Sequence, residues 1–399
     1  MRNWIDITDY QLSSKLPDTF LMNSGKRVAS MEDWQIRRAE LYETAVELQY
    51  GTMPPAPEFL EVVPMCLGAP GRPSTYGIRT GTREHPVTLN MTVFKAAASK
   101  CPAVISGDLC FPYPFDQEYI RQFTDNGIHF VLFNRTELAP DIAAYNLRQL
   151  DQDSNEPAIC APVYETIATG CCGGQLKRAY PDKTFGAIGA WAWGYSRCVD
   201  ALELLGIADL YAFTGHSRGG KTALLAGVLD QRAAIVNPNG SGTGGAGCYR
   251  VRMKAIHEDG EEKAQEPLDN IVRTFPAWMG PAMKDYVGRE AELPFDSHDL
   301  KALVAPRVLL DTEAASDIWA NPVGTWQTNL AAREVYRFHG CPENLLWHYR
   351  SGYHCHQPED VALLVNVMRH IHYGEPLQKG YNNLVFAAQP PAFDWKTPK

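Results

Sequence analysis

Residues 215–222 read GHSRGGKT, and the stretch fits two catalytic patterns at once. As G-x-S-x-G, Gly215, Ser217 and Gly219 would hold a serine on a tight turn between a strand and a helix. As G-x-x-x-x-G-K-[ST], Gly215, Gly220, Lys221 and Thr222 would cradle a phosphate. Either pattern needs a strand before it and a helix after it. LYAFT (210–214) is a short apolar run of strand type, and TALLAGVLDQR (222–232) has helical periodicity. The fold around the stretch is the same in both cases, but the chemistry is not.

From about residue 185 onward the sequence alternates between helix and strand patterns. AIGAWAWGYSRCVDALELLG reads as a helix, LYAFT as a strand, KTALLAGVLDQR as a helix and AAIVNP as a strand. APRVLLDT, WQTNLAAREVYRFH, NLLWHYRS and PEDVALLVNVMRHIHYG continue as strand, helix, strand and closing helix. Such alternation predicts an α/β protein with a mainly parallel sheet covered by helices on both faces. Upstream, EFLEVVPM, HPVTLNMTVFK, CPAVIS and IHFVLFN are short β-branched strand candidates between turn residues. Before them, MEDWQIRRAELYETAVELQYGTMPP reads as a helix ending at Gly51 and the proline pair. No repeat or low-complexity linker interrupts the chain. Residues 1–399 are expected to form one domain, with 1–55 a helical wrap and 185–375 the strand–helix catalytic half.

A chain of 399 residues with 45% hydrophobic and 21% charged residues has the composition of a globular protein with a large core. Its net charge of −9 argues against a nucleic-acid partner. No apolar run approaches the ~20 residues that cross a bilayer. MRNWIDITDYQLSSK lacks the apolar core of a secretion signal, so the chain as written is expected in the cytoplasm. The ten cysteines show no C-x-x-C zinc spacing, and reduced thiols are expected there.

The phosphate reading gains some support from RVLLDTE (307–313), which resembles a Walker-B strand ending at Asp311. Yet a phosphate loop usually follows the first strand of its sheet, and several strand candidates precede Gly215. An acid at the end of a buried parallel strand is also common. The serine reading makes a stricter demand, that nucleophile, acid and histidine follow in that order. Asp317 follows the strand APRVLLDT, and His354 lies between the last strand and the last helix. A serine hydroxyl needs a histidine to take its proton and a carboxylate to fix that histidine's tautomer. Ser217, Asp317 and His354 meet that need, with the N–H of Arg218 and its neighbours facing a developing oxyanion. A serine in a glycine turn is most often only a turn residue. It is the conjunction that favours a hydrolase.

These motifs, and more, resemble the glucuronoyl esterases of carbohydrate esterase family 15. GKRVASMEDWQIRRAEL, YGTMPP, AIGAWAWGYSR, TGHSRGGKTALLAG, GSGTGGAGCYR, LPFDSHDLKALVAPR, DIWANP and GYHCHQP carry the resemblance over nearly the whole chain. It implies an α/β-hydrolase fold, a three-layer sandwich, and cleavage of glucuronic acid esters with neither metal nor nucleotide. It also implies roles for individual residues. Ser217 matches the nucleophile, Arg218 an arginine that helps the oxyanion hole, and Lys221 a lysine that bonds sugar hydroxyls. Trp319 matches a tryptophan lining the sugar site, and Trp278 falls where relatives have an aromatic near the site, a position that a core tryptophan fits equally. His354 matches the general base, with His356 the second candidate. Three departures stand out. Where many members carry a catalytic Glu, this chain has Gly240 beside Asn239, which leaves Asp317 as the acid with Glu313 behind it. His216 replaces a cysteine that fungal members bridge to the position of Cys355, leaving the two loops held by packing alone. No match is evident for the family's sugar-contacting Gln and Glu. Other carbohydrate esters, such as acetyl groups, are the alternative substrate, and a carbohydrate-binding pseudoenzyme is the alternative class.

Overall fold

The computed structural model describes residues 4–68, 72–144, 172–257 and 259–398. Cys160 and Cys171 lie outside the described residues. Among the described residues twelve strands run β1 Asp6–Leu12, β2 Phe59–Cys66, β3 Ser74–Gly81, β4 Pro86–Phe94, β5 Cys101–Ser106 and β6 His129–Phe133. They continue as β7 Ala208–His216, β8 Ala233–Asn239, β9 Val251–Ile256, β10 Glu262–Ala264, β11 Val308–Ala314 and β12 Leu345–Arg350.

Nine of them form one sheet in the order β12-β11-β8-β7-β5-β6-β4-β3-β2. From β12 to β6 neighbours pair in parallel, and β6, β4, β3 and β2 pair antiparallel. The parallel strands are buried on both faces, so side chains divide strictly by parity. Val104, Phe130, Ala212, Ile235 and Leu310 join one apolar layer with Tyr119, Phe123, Leu364 and Met368. Ile105, Val131, Phe213, Val236 and Leu309 join the other with Trp191, Leu224 and Val335. Helices Gln117–Thr124 and Pro358–Tyr373 therefore cover the first face. Helices Ala187–Leu205, Arg218–Leu229 and Pro322–Phe338 cover the second. The result is the three-layer α/β sandwich expected from the alternation.

Two differences from the sequence reading have a common cause. β3 (STYGIRTG) carries two glycines and little apolar density, and its ladder partners β2 and β4 supply what its own side chains lack. Residues 6–12 are not part of a helical wrap: DITDYQL is β1, paired with β9, and β9 pairs with β10 in a separate three-stranded sheet. The helical part of the first 55 residues is Met31–Leu41, capped by Ser30 Oγ accepting the Asp33 N–H, and continuing as π-helical turns over Tyr42–Leu48. The small sheet leads through β10 directly to Glu266, whose N–H donates to the Trp319 carbonyl at 2.9 Å.

Candidate active site

Ser217 sits between the end of β7 and the helix Arg218–Leu229, at φ 57° and ψ −120°. A positive φ on a residue with a Cβ is strained and persists only where the surroundings enforce it. Here the enforcement is visible. A Cβ added to Gly219 would lie 2.2 Å from Asp108 Oδ1, so β5's loop and the helix meet only because residue 219 is glycine. Asp108 Oδ2 accepts the His216 N–H at 2.8 Å and the Tyr113 hydroxyl. The Ser217 N–H donates to the Asn239 carbonyl at 2.9 Å. The first N–H groups of the helix, beginning at Arg218, have no carbonyl within the helix to bond and gather at its serine end.

Asp317 follows β11 and caps the short turn Ile318–Ala320, its Oδ1 accepting the Ala320 N–H at 3.3 Å. Its Oδ2 lies 2.6 Å from His354 Nδ1. The Asp317 side chain is 2% exposed and that of His354 36%. A carboxylate accepts, so Nδ1 carries the proton and Nε2 keeps a lone pair. A Cβ on Gly240 would lie 3.2 Å from Asp317 Oδ2. Asp317 thus fills the place into which a side chain at residue 240 would reach. Glu313 is buried on β11 behind it, and burial, with the Asp317 charge adding, pushes its carboxyl well above the ordinary range. His356 turns inward instead: its Nδ1 is 3.0 Å from the Tyr119 hydroxyl, and burial lowers its pKa to about 3.

The His354 loop has its own clamp. Buried Arg350 and Asp360 pair at 2.8 Å across the loop, joining the end of β12 to the first turn of the helix Pro358–Tyr373. Arg350 also donates to the Ser351 carbonyl at 2.9 Å and to the Cys355 carbonyl. Cys355 is a free thiol whose Sγ accepts from Gln357 Nε2 at 3.1 Å. The expectation that packing alone holds this loop is therefore corrected, because a buried ion pair spans it.

A chain of charges reaches the serine from the interior. Asp108 pairs with Arg135, Arg135 with Asp141 at 3.3 Å, and Asp141 with Arg218 at 3.0 Å. Arg218 lies over the stacked rings of Phe275 and Trp278, at 4.6 and 4.5 Å. Trp278, which the resemblance put near the sugar, is 4% exposed and donates its Nε1–H to Asp141 at 3.2 Å. It meets the site through Arg218. Lys221 is buried, and its Nζ donates to the Ser241 carbonyl at 2.6 Å and to Glu266 at 3.3 Å. Burial lowers its pKa, and Glu266 opposes that shift. Trp319 stands 43% exposed beside Glu266, whose N–H its carbonyl accepts. A carbonyl and a carboxylate on Lys221 would both repel a phosphate. Asp311, the Walker-B candidate, pairs with buried Lys301 at 2.7 Å.

Glu266, Asp108, Arg135 and Asp141 escaped the sequence reading. Each is one charged residue among many, far along the chain from the group it meets, and no spacing rule links them. Among the described residues, no helix is long and apolar enough to cross a membrane.

Comparison with known proteins gives a consistent answer. A family model described as "Glucuronyl esterase, fungi" matches residues 171–340. A 4-O-methyl-glucuronoyl methylesterase 1 of Wolfiporia cocos is 29% identical over 340 residues, 83% of this chain and 74% of the relative. A 4-O-methyl-glucuronoyl methylesterase of Phanerochaete carnosa is 29% identical over 87% of this chain and 78% of the relative. Among solved structures, a carbohydrate esterase family 15 glucuronoyl esterase from Caldicellulosiruptor kristjansonii superposes with a TM-score of 0.79 at 28% identity. That match covers 96% of this chain and 97% of the other. The glucuronoyl esterase catalytic domain from Hypocrea jecorina gives 0.72 at 25% identity, covering 98% of each chain.

Proposed function

We propose, for a chain that belongs with the glucuronoyl esterases of carbohydrate esterase family 15 and has an α/β-hydrolase fold, that it hydrolyses esters of glucuronic acid from Ser217. The chain is a carboxylic ester hydrolase, and the two relatives compared above carry the name 4-O-methyl-glucuronoyl methylesterase. The observation that carries the assignment of roles is the 2.6 Å bond between Asp317 and His354 Nδ1, with the His354 ring 4.4 Å from that of His216, the residue before a serine held at positive φ.

His354 Nε2 takes the Ser217 proton as the hydroxyl oxygen attacks the ester carbonyl. The carbonyl oxygen becomes an oxyanion facing Arg218 and the free N–H groups at the start of its helix. As the tetrahedral intermediate collapses, the bond to the alcohol oxygen breaks and His354 returns its proton to that oxygen. Water then repeats the sequence on the acyl-enzyme and releases the uronic acid. Asp317 stabilises the imidazolium in both halves. Lys221, paired with Glu266, and the exposed face of Trp319 would hold the sugar. On this reading residues 1–399 work as one catalytic domain, with the small β1-β9-β10 sheet bringing Glu266 to the site.

The direct test compares turnover of benzyl or methyl glucuronate with that of acetylated xylose. Hydrolysis of the uronate ester is expected to dominate. A preference for the acetyl ester would replace the substrate assignment, and no turnover of either would favour a carbohydrate-binding role.

A further inference from the structure

The chemistry above gives His216 no task, yet its ring lies 4.4 Å from that of His354 at an interplanar angle of 43°. Its backbone is fixed by Asp108, and its side chain is fixed as well. Residue 216 ends β7 opposite Asn239 of β8 in the parallel ladder. Asn239 Oδ1 lies 2.7 Å from His216 Nδ1. On its other side, Asn239 Nδ2 donates to the Thr312 carbonyl at 3.3 Å and to Thr312 Oγ1 at 2.9 Å. A backbone carbonyl only accepts, so the amide NH₂ must face Thr312 and the amide oxygen must face His216. His216 therefore carries its proton on Nδ1 and its lone pair on Nε2.

The groups around the ring are Tyr113, edge-on at 6.1 Å, His356 at 6.1 Å, His354, Asn239 and the Arg350 charge. Burial first, and then the two other imidazoles, hold His216 well below the ordinary histidine range. It stays uncharged while His354 takes up a proton, and two adjacent imidazolium ions are avoided. The His354 side chain is 36% exposed and bonds to Asp317 through Nδ1. The Nδ1 bond fixes one edge of that ring, and the His216 ring packs against it.

We propose that His216 is a positioning residue for the base: its ring, locked through Asn239 to Thr312, stops the His354 ring from swinging away from Ser217. The proposal rests on His354 being the general base, and His354→Ala tests that premise separately by abolishing turnover. For His216, kcat and KM for benzyl glucuronate are measured in His216→Ala and His216→Phe. Misplacing a catalytic group by about 1 Å costs up to roughly a hundredfold. The Ala variant is expected to lose ten- to a hundredfold in kcat with KM within about threefold, since His216 has no assigned sugar contact. The Phe variant restores the ring's bulk but not the bond to Asn239 and is expected to recover only part of that loss.

A second readout does not depend on any variant folding. In ¹⁵N-histidine NMR of the wild type, His216 should remain neutral with its proton on Nδ1 through about pH 5–8, where histidines usually titrate. Any of three results would overturn the proposal: wild-type kcat in His216→Ala, a loss that appears in KM alone, or a His216 signal that titrates in that range or shows the Nε2–H tautomer.

Discussion

The loops that carry Ser217 and His354 are built on different physics. The serine turn is held by backbone against backbone and carboxylate: Gly219 against Asp108, the His216 N–H on Asp108, and the Ser217 N–H on the Asn239 carbonyl. The histidine loop is held by side chains, with Arg350 and Asp360 paired beneath it and Asp317 and His216 against the ring. The serine turn cannot accept a Cβ at Gly219 without rebuilding. The histidine loop is tied instead by side-chain bonds and a buried ion pair. A nucleophile whose position must be exact is placed by steric exclusion, whereas a base that moves protons in two directions is placed by bonds of moderate strength.

The largest expected effect lies on the serine side of that contrast. Ser217→Ala should lower kcat by about 10⁶, as loss of the nucleophile does in triad enzymes, with the fold intact by circular dichroism. Retention of more than about a thousandth of the activity would remove Ser217 from the mechanism.

On the histidine side, Asp317→Asn should cost up to ~10⁴ in kcat, since geometry survives while the tautomer preference is lost. Glu313→Gln, at a carboxyl that burial already favours in its neutral form, should leave kcat nearly unchanged. The reverse outcome for this pair would transfer the acid to Glu313 and break the comparison.

Arg350→Met tests the clamp itself. Removing one partner of a buried pair leaves Asp360 uncompensated, and about 3–5 kcal/mol of unfolding free energy should be lost in urea titrations. An unchanged denaturation midpoint would mean that packing alone holds the loop.

The smallest effect concerns the sugar. Lys221→Met should lower kcat/KM for uronate esters by about ten- to 150-fold, the worth of a charge-assisted hydrogen bond of ~1.5–3 kcal/mol. A small aryl acetate should be spared. Equal losses on both substrates would assign Lys221 to the support of the serine turn.

The strands from β5 to β12 in the large sheet were legible because each is buried on both faces and must be apolar throughout, whatever its partners. β1 and β3 were not, because a strand with polar or glycine positions becomes one only when a neighbour completes its ladder. The same division runs through the site. Ser217, Asp317 and His354 could be singled out from local signals: glycines around a serine, and an acid and a histidine just past successive strands. What the sequence could not reveal is which side chains meet. Asp108 reaches His216 across the β5–β7 pairing, Glu266 reaches Lys221 through a separate sheet, and Asn239 reaches His216 by ladder register. Local backbone demands are written in neighbouring residues and can be read in order along the chain. Contacts between distant residues are fixed only when sheet register and helix packing bring them within about 3 Å of one another, the range in which hydrogen bonds act.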